Sequence, residues 1–453
     1  MPVTQSGSSA TGNRSPSPWL GGLFNRNGSH SPSLPVTERA KLHLAVRRMT
    51  HAMCKRRWFP SWMLVLAALN AVCIPPAAAQ QPDAATRELR FQLGALTVAP
   101  ALELTTGLDT NVFNTPEQTV RDFVWTLRPK AEFGMKAGRL HVSGTSLVDV
   151  VHFQQTSSER SVNVDGRMRV QVALNRLAPF VAGSILRTRQ RPNVAIDARS
   201  RRLEHGVGAG FTLRVSPRTQ VELSATQSRV AFDVDEVFLG SNLSQQLDRR
   251  TETVRASVRE QLTPLTALVL TVDGIRDRFD VSTNRDSSGY RAWVGVDLNP
   301  SALISGQARL GYRRLDVRDP LIPGFSGMVV SLDVAYTSAA TRLQMQVARD
   351  PDYSYDPFNP YFVPTRVGGQ ITRLFTERIG ILVRADRYHL AFRGTTGSAA
   401  RFETTRILGG GVTTRFSRRL RMDTTLEELR RTADVGAREY RGLRVNNTFV
   451  HGF

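Results

Sequence analysis

Residues 162–175 read VNVDGRMRVQVALN, and how they are read decides the fold. Val162, Val164, Gly166, Met168, Val170, Val172 and Leu174 hold the even positions, while Asn163, Asp165, Arg167, Arg169 and Gln171 hold odd ones. Successive side chains of a β-strand point to opposite faces, so this segment has one apolar side and one charged side. Strands in soluble sheets usually stop at about five or six residues. A longer strand with such unlike faces raises the question of which solvent each face meets.

The same period of two recurs from Leu96 onward. Phe123, Trp125, Leu127, Ala131, Phe133 and Met135 alternate with Thr126, Arg128, Lys130 and Glu132. Val207, Ala209, Phe211, Leu213 and Val215 form another run, and Met328, Val330, Leu332, Val334 and Tyr336 another; helical spacing fits none of them. Short connections (MKAGR, VSPRTQ, TSAAT, FTERI, FSRRL) alternate with long ones such as RQRPNVAIDARSRR, FDVDEVFLGSNLSQQLDRR and RDPDYSYDPFNPYFVPTR. The pattern predicts an all-β fold over 96–453: a transmembrane antiparallel up-and-down β-barrel of about 18 strands (16–18), with short periplasmic turns and long external loops. In hydrocarbon every backbone N–H and C=O must pair within the protein, and a closed barrel achieves this. A periplasmic β-sandwich also alternates, but strand length and turn asymmetry favour the barrel. The chain ends RGLRVNNTFVHGF, where Phe449 and Phe453 share parity with Leu443 and Val445. That ending resembles the aromatic-terminated last strand of outer-membrane barrels, which implies the barrel-assembly machinery as a partner.

The start of the chain reads differently. Residues 1–48 are rich in Ser, Gly and Pro, cannot bury enough apolar surface to fold, and read as a disordered or mis-annotated extension. Residues 49–79 read as a signal peptide: Lys55, Arg56 and Arg57, then the apolar run from Met63 to Val72, then Ala77, Ala78 and Ala79 as the cleavage site. Residues 80–95 remain as a short periplasmic segment. Export of this kind places the protein in the outer membrane of a Gram-negative bacterium, with lipid and lipopolysaccharide around it. Cys54 and Cys73, the only cysteines, lie in the leader, which excludes disulfides and thiolate metal sites beyond it.

The formal charge is +21, from 60 Lys and Arg against 39 Asp and Glu. The basic residues follow strand parity and do not cluster in a patch, which argues against nucleic acid. Parity assigns a lumen-facing set: Arg128, Lys130, Glu132, Asp165, Arg167, Arg169, Arg214, Arg255, Arg259, Asp273, Asp297, Arg309, Asp333, Arg384 and Asp386. An excess of arginine on a pore wall concentrates anions, and charged rings set selectivity. The bland alternative is that these arginines pair with lumen carboxylates and brace the wall. Trp293 and Tyr388 also take lumen parity. With Tyr353 and Tyr355 they are candidate saccharide contacts, although the aromatic girdle at the membrane interface is the stronger expectation for Trp293 and Tyr388. The loop from Asp350 to Pro364 either caps the pore or, the preferred expectation, is a stiff external loop packed on its own aromatics. His141, His152, His205, His389 and His451 form no catalytic or metal motif, and no cofactor is implied.

After the first strand comes GLDTNVFNTP, residues 107–116. Asp109, Asn111, Val112 and Phe113 resemble the opening segment of the outer-membrane β-barrel porins found with exopolysaccharide and capsule biosynthesis clusters; Leu108 stands where that family carries an aromatic. The similarity covers roughly residues 90–453. It implies a channel or scaffold for polysaccharide export, with polysaccharide export proteins as partners, and it brings no catalytic residues. From the residues alone, Asp109 and Asn111 read as Asx-type caps of the first external loop. A general anion-preferring diffusion porin is the alternative function, and a barrel-embedded hydrolase a distant third.

Overall fold

The computed structural model describes residues 91–452 apart from 300, 301, 397 and 418, so the extension, signal-peptide and Phe453 expectations lie outside the described residues. Eighteen long strands close into one antiparallel barrel. They are β1 (Leu96–Asp109), β2 (Asp122–Ala137), β3 (Leu140–Phe153), β4 (Ser161–Val172), β5 (Leu177–Gln190), β6 (Ser200–Arg214), β7 (Thr219–Phe232), β8 (Arg249–Thr263) and β9 (Thr266–Phe279). The ring continues through β10 (Ser287–Leu298), β11 (Ile304–Val317), β12 (Phe325–Ser338), β13 (Thr341–Arg349), β14 (Tyr361–Leu374), β15 (Ile379–Arg393), β16 (Arg401–Arg415), β17 (Leu420–Ala433) and β18 (Tyr440–Gly452). Each strand pairs with the next. Closure comes from β1 on β18, in register from Ala101 opposite Gly452 to Asp109 opposite Arg444.

The turn chemistry explains why one end is tight. Gly138, in the turn between β2 and β3, has φ of 59°, a backbone conformation that costs glycine no steric penalty. Three other tight turns share one device. The hydroxyls of Ser216, Thr376 and Ser417 accept hydrogen bonds from backbone N–H groups two and three residues on, at Arg218 and Thr219, Arg378 and Ile379, and Arg419 and Leu420. Long connections join the strands at the opposite end, and β1 begins and β18 ends at the tight end.

Side-chain exposure is inverted relative to a water-soluble protein. Val162, Met168, Val207, Val254 and Met328 are exposed, whereas Asp109, Asp273 and Glu403 are buried. Leu270 stands beside Val294, Val294 beside Leu310, and Leu310 beside Val330, building a continuous outer belt from registered neighbours. Exposed outward aromatics bracket that belt, with Phe123, Tyr290, Tyr312 and Phe402 toward the loop end and Tyr336, Phe375 and Phe416 toward the turn end. In Ser161–Val172 the even side is this outer face; Leu174 falls in the turn, where its N–H bonds the Leu177 carbonyl.

The bore is not empty at the loop end. The segment 191–199, between β5 and β6, crosses to β15–β18, and the segment 350–360, between β13 and β14, turns into the barrel. Asn193 Nδ2 donates to Asp352 Oδ2 at 3.1 Å, so the two meet inside. Ile196, Phe238, Leu243, Ile322, Tyr353 and Tyr355 from four external segments pack with Phe232, Phe279, Leu315, Phe325 and Val329 of the wall in one buried cluster.

Candidate functional site

The site is the narrowed bore, and three groups of charged side chains line it. The first lies on β8–β11. Asp273, fully buried, accepts Arg255 Nε at 2.6 Å and Arg291 Nη2 at 2.9 Å. Asp350, on the inward segment, accepts Arg291 Nη1 and Arg313 Nη1, each at 2.6 Å. Tyr353 donates to Asp277 Oδ2 at 2.8 Å, lies 2.6 Å from the Ser287 hydroxyl, and faces the Arg249 guanidinium, 5.2 Å from its ring centre. With Asp352 beside it, this wall holds four arginines (Arg249, Arg255, Arg291, Arg313) against four aspartates (Asp273, Asp277, Asp350, Asp352). Arg249, Arg291, Arg313, Asp277 and Asp352 line a cleft of about 40 Å³ at Pro351 and Tyr353.

The second group latches segment 191–199 to the far wall. Asp197 Oδ2 accepts Arg431 Nη1 at 2.6 Å and Arg438 Nη1 at 2.5 Å, and Oδ1 accepts Asn114 Nδ2 at 3.2 Å. Burial would raise the Asp197 carboxyl, but Arg431, Arg438 and Arg191 outweigh it and hold it below the ordinary range. Glu403 bonds Arg401 and Arg438, and Arg401 also reaches Asp356 at 2.9 Å. Here three arginines meet three carboxylates.

The third group lies between β1, β3, β5 and β18, under the start of the crossing segment. Glu159 Oε1 accepts Arg189 Nη2 at 3.2 Å, and its Oε2 accepts Arg199 Nη1 at 3.0 Å. Asp109 Oδ2 accepts Arg444 Nε at 3.1 Å. Arg191 reaches no carboxylate. It donates to the backbone carbonyls of Asp197 and, at 3.0 Å, Val112.

The residues singled out from the sequence fall as follows. Arg128 pairs with Asp149 at 2.5 Å and Glu103 at 3.1 Å; Lys130 pairs with Glu132 at 2.9 Å and Arg167 with Asp165 at 3.3 Å. Arg169 lies over the Phe180 ring and reaches Glu222 at 3.5 Å, while Arg259 and Arg309 share Asp297. Arg384 and Arg366 share Asp386. Arg214 stands opposite Gln220 at the turn-end rim, and Asp333 stands opposite Gln346. Most of these arginines therefore brace the wall.

The aromatic expectations need correction. Tyr388 is not in the girdle. It packs inward with Ala195, Phe362, Leu390 and Phe392. Trp293 also points inward, half-buried, against the loop cluster and under Arg291. Tyr353 and Tyr355 are buried, so none of these three tyrosines presents a free ring face to a sugar. The segment 350–360 does not stand outside packed on itself; it folds inward because the wall arginines capture Asp350 and the wall apolars capture its tyrosines. Asp109, Asn111 and Val112 form a clasp. The Asn111 N–H donates to Asp109 Oδ1 at 2.8 Å, Asn111 Nδ2 spans the carbonyls of Thr115 and Arg441, and Val112 packs on Val124, Val151 and Phe153. Phe113 is exposed, Phe449 faces outward, half-buried.

Parity arguments stop where strands stop, so Arg191, Asp197 and Arg199 were not singled out. One signal was present: Val194, Ala195 and Ile196 form an apolar tip inside a polar loop, and an apolar tip needs something to bury it.

A closed ring of 18 strands, apolar outside and charged inside, defines a porin-type channel of the Gram-negative outer membrane. Residues 91–450 match the family described as "Putative beta-barrel porin 2", and the chain belongs to that family. Solved structures similar to it include OpdK from Pseudomonas aeruginosa (11% identity, 78% of this chain and 98% of that one, TM-score 0.43). Another is a BenF-like porin from Pseudomonas fluorescens Pf-5 (10%, 79% and 99%, TM-score 0.44). A third is OccK2 (OpdF) from Pseudomonas aeruginosa (11%, 78% and 97%, TM-score 0.46). No curated protein matches the chain.

Proposed function

We propose that this protein is a passive diffusion channel for small anionic solutes. The observation that carries the reading is the arginine-rich bore, narrowed by two inward segments and left with more cations than carboxylates beside Glu159 and Asp109. Solutes follow the water-filled half of each strand's parity, and the arginine excess raises the local concentration of anions over cations. Residues 49–79 serve as the signal peptide on this reading, and the last strand addresses the barrel-assembly machinery. The test is conductance of the full barrel in a planar bilayer. In asymmetric potassium chloride the reversal potential takes the sign of chloride preference; cation preference, or a barrel that passes no current, would overturn the proposal.

Residues 107–116 support a second reading, a channel or scaffold for polysaccharide export with export proteins as partners. The crossing segment counts against a bulky polymer, because its latch at Asp197 would have to open for each passage. Deletion that abolishes surface polysaccharide while leaving uptake of small anions unchanged would favour export over diffusion.

A further inference from the structure

Arg199 is buried, yet only its Nη1 is satisfied, by Glu159; Nε and Nη2 have no partner. Arg191 Nη1 is likewise buried and unpartnered. Two residues along the inward side of β18 from Arg444, beside Gly107 of β1, the buried Asn446 has an unpartnered Nδ2. A buried donor without an acceptor costs about 1–3 kcal/mol, more when charged. These three groups are all donors, so they cannot satisfy one another.

The charges point the same way. Arg189, Arg199 and Arg444 bond only Glu159 and Asp109, and Arg191 bonds no carboxylate; Asp197, near Arg191, already holds Arg431 and Arg438, and Glu427, opposite Arg444, already holds Arg384, so two positive charges stay uncompensated. Arg201 and Glu236, the next charges near Glu159, cancel. Burial and repulsion from Arg444 pull Arg199 down to about 9, and the same two causes lower Arg191. The Phe153 ring, 4.8 Å from the Arg199 guanidinium carbon, holds that side chain in place, and the Val112 carbonyl holds Arg191. The arginines are thus preorganised by groups that do not neutralise them.

We infer that Arg199, Arg191 and Asn446 form a binding site for a compact oxyanion group, carboxylate or phosphate, on the solute in transit. The inference rests on the diffusion-channel reading and names where in the bore the solute pauses. Arg444 stays on Asp109 and sets the field from behind. An oxyanion supplies the acceptors these donors lack, and guanidinium suits both carboxylate and phosphate geometry.

The test uses the full barrel in detergent and in bilayers, with inorganic phosphate and acetate as probes. Calorimetry on the unaltered barrel is expected to show saturable binding of at least one probe, and the tighter one identifies the headgroup class. R199Q and R191Q each weaken that binding at least tenfold, and R199K recovers part of it. R314Q, at an exposed outward arginine, leaves it unchanged. Heat-modifiable gel migration checks that each variant is folded. If neither probe binds the unaltered barrel, or if R199Q and R191Q bind as tightly as the parent, the site is refuted. A barrel that still prefers chloride in that case sinks only this site. Cation preference with intact phosphate binding sinks only the diffusion reading.

Discussion

Two regions of the same bore use arginine in opposite ways. Around the inward segment 350–360 on β8–β11, four arginines are matched by four aspartates, and the resulting lattice ties that segment to the wall. Between β1, β3, β5 and β18, four arginines share two carboxylates, and four buried donor atoms of Arg189, Arg191 and Arg199 are left over, against one, Arg255 Nη1, among the four arginines of the first wall. The first arrangement is mechanical: buried pairs fix position and gain little net stability, since desolvation offsets attraction. The second is chemical: its positive surplus is available to whatever enters. A count of lumen arginines does not separate the two; only the partner of each does.

The comparison breaks most visibly at Asp273. Asp273→Ala strands Arg255 and Arg291 without their shared carboxylate and is expected to cost about 3–5 kcal/mol, the usual cost of leaving a buried charge unpaired. Denaturant unfolding from lipid vesicles measures the loss, and anion preference is expected to rise as the balanced wall gains surplus charge. Outside, the two regions should not differ. Leu270→Arg on the balanced side and Met168→Arg on the other each put a charge into hydrocarbon, at about 2–4 kcal/mol near the midplane. A large inequality between them in the same unfolding assay would mean that one face does not meet lipid.

A smaller effect is expected at the clasp. Asn111→Ala leaves the carbonyls of Thr115 and Arg441 and the Thr115 N–H without their partner, at about 1–3 kcal/mol. The loosened turn should free Val112 and with it the hold on Arg191, so phosphate binding should weaken alongside stability. The smallest effect is a pH dependence at Asp248, which anchors the base of the loop before β8 by accepting the Phe232 N–H at 2.7 Å. Burial, with repulsion from Asp280, lifts its carboxyl from 3.8 to about 6. A carboxyl raised on folding favours the folded loop most at low pH, and that preference is lost as pH rises from about 4 to 6. A fluorophore on Val237→Cys is expected to lose anisotropy over that window, and Asp248→Asn to flatten the change.

Strand parity made the barrel legible in the sequence. Residues 162–172 carried their two solvents in plain alternation, and the tight turns were marked by Gly138, Ser216, Thr376 and Ser417. The contents of the bore were harder to read, because the contacts that fold the loops inward join residues far apart in sequence: Asn193 with Asp352, Asp197 with Arg431 and Arg438. No local period encodes such pairs. Tyr388 and Trp293 illustrate the limit. Parity put them inside correctly, but only the crossing segment shows why an inward aromatic there is buried and not wet.

The claim beneath all of this is that one side of each strand meets hydrocarbon and the other meets water. Cys54 and Cys73 are the only native cysteines, so single cysteines can be placed along residues 162–172 and spin-labelled in bilayers. The account predicts contact with dissolved oxygen peaking at Val162, Val164, Met168 and Val170, and contact with a water-soluble nickel complex peaking at Asn163, Asp165, Arg167 and Arg169. Equal exposure to the nickel complex at every position would contradict it.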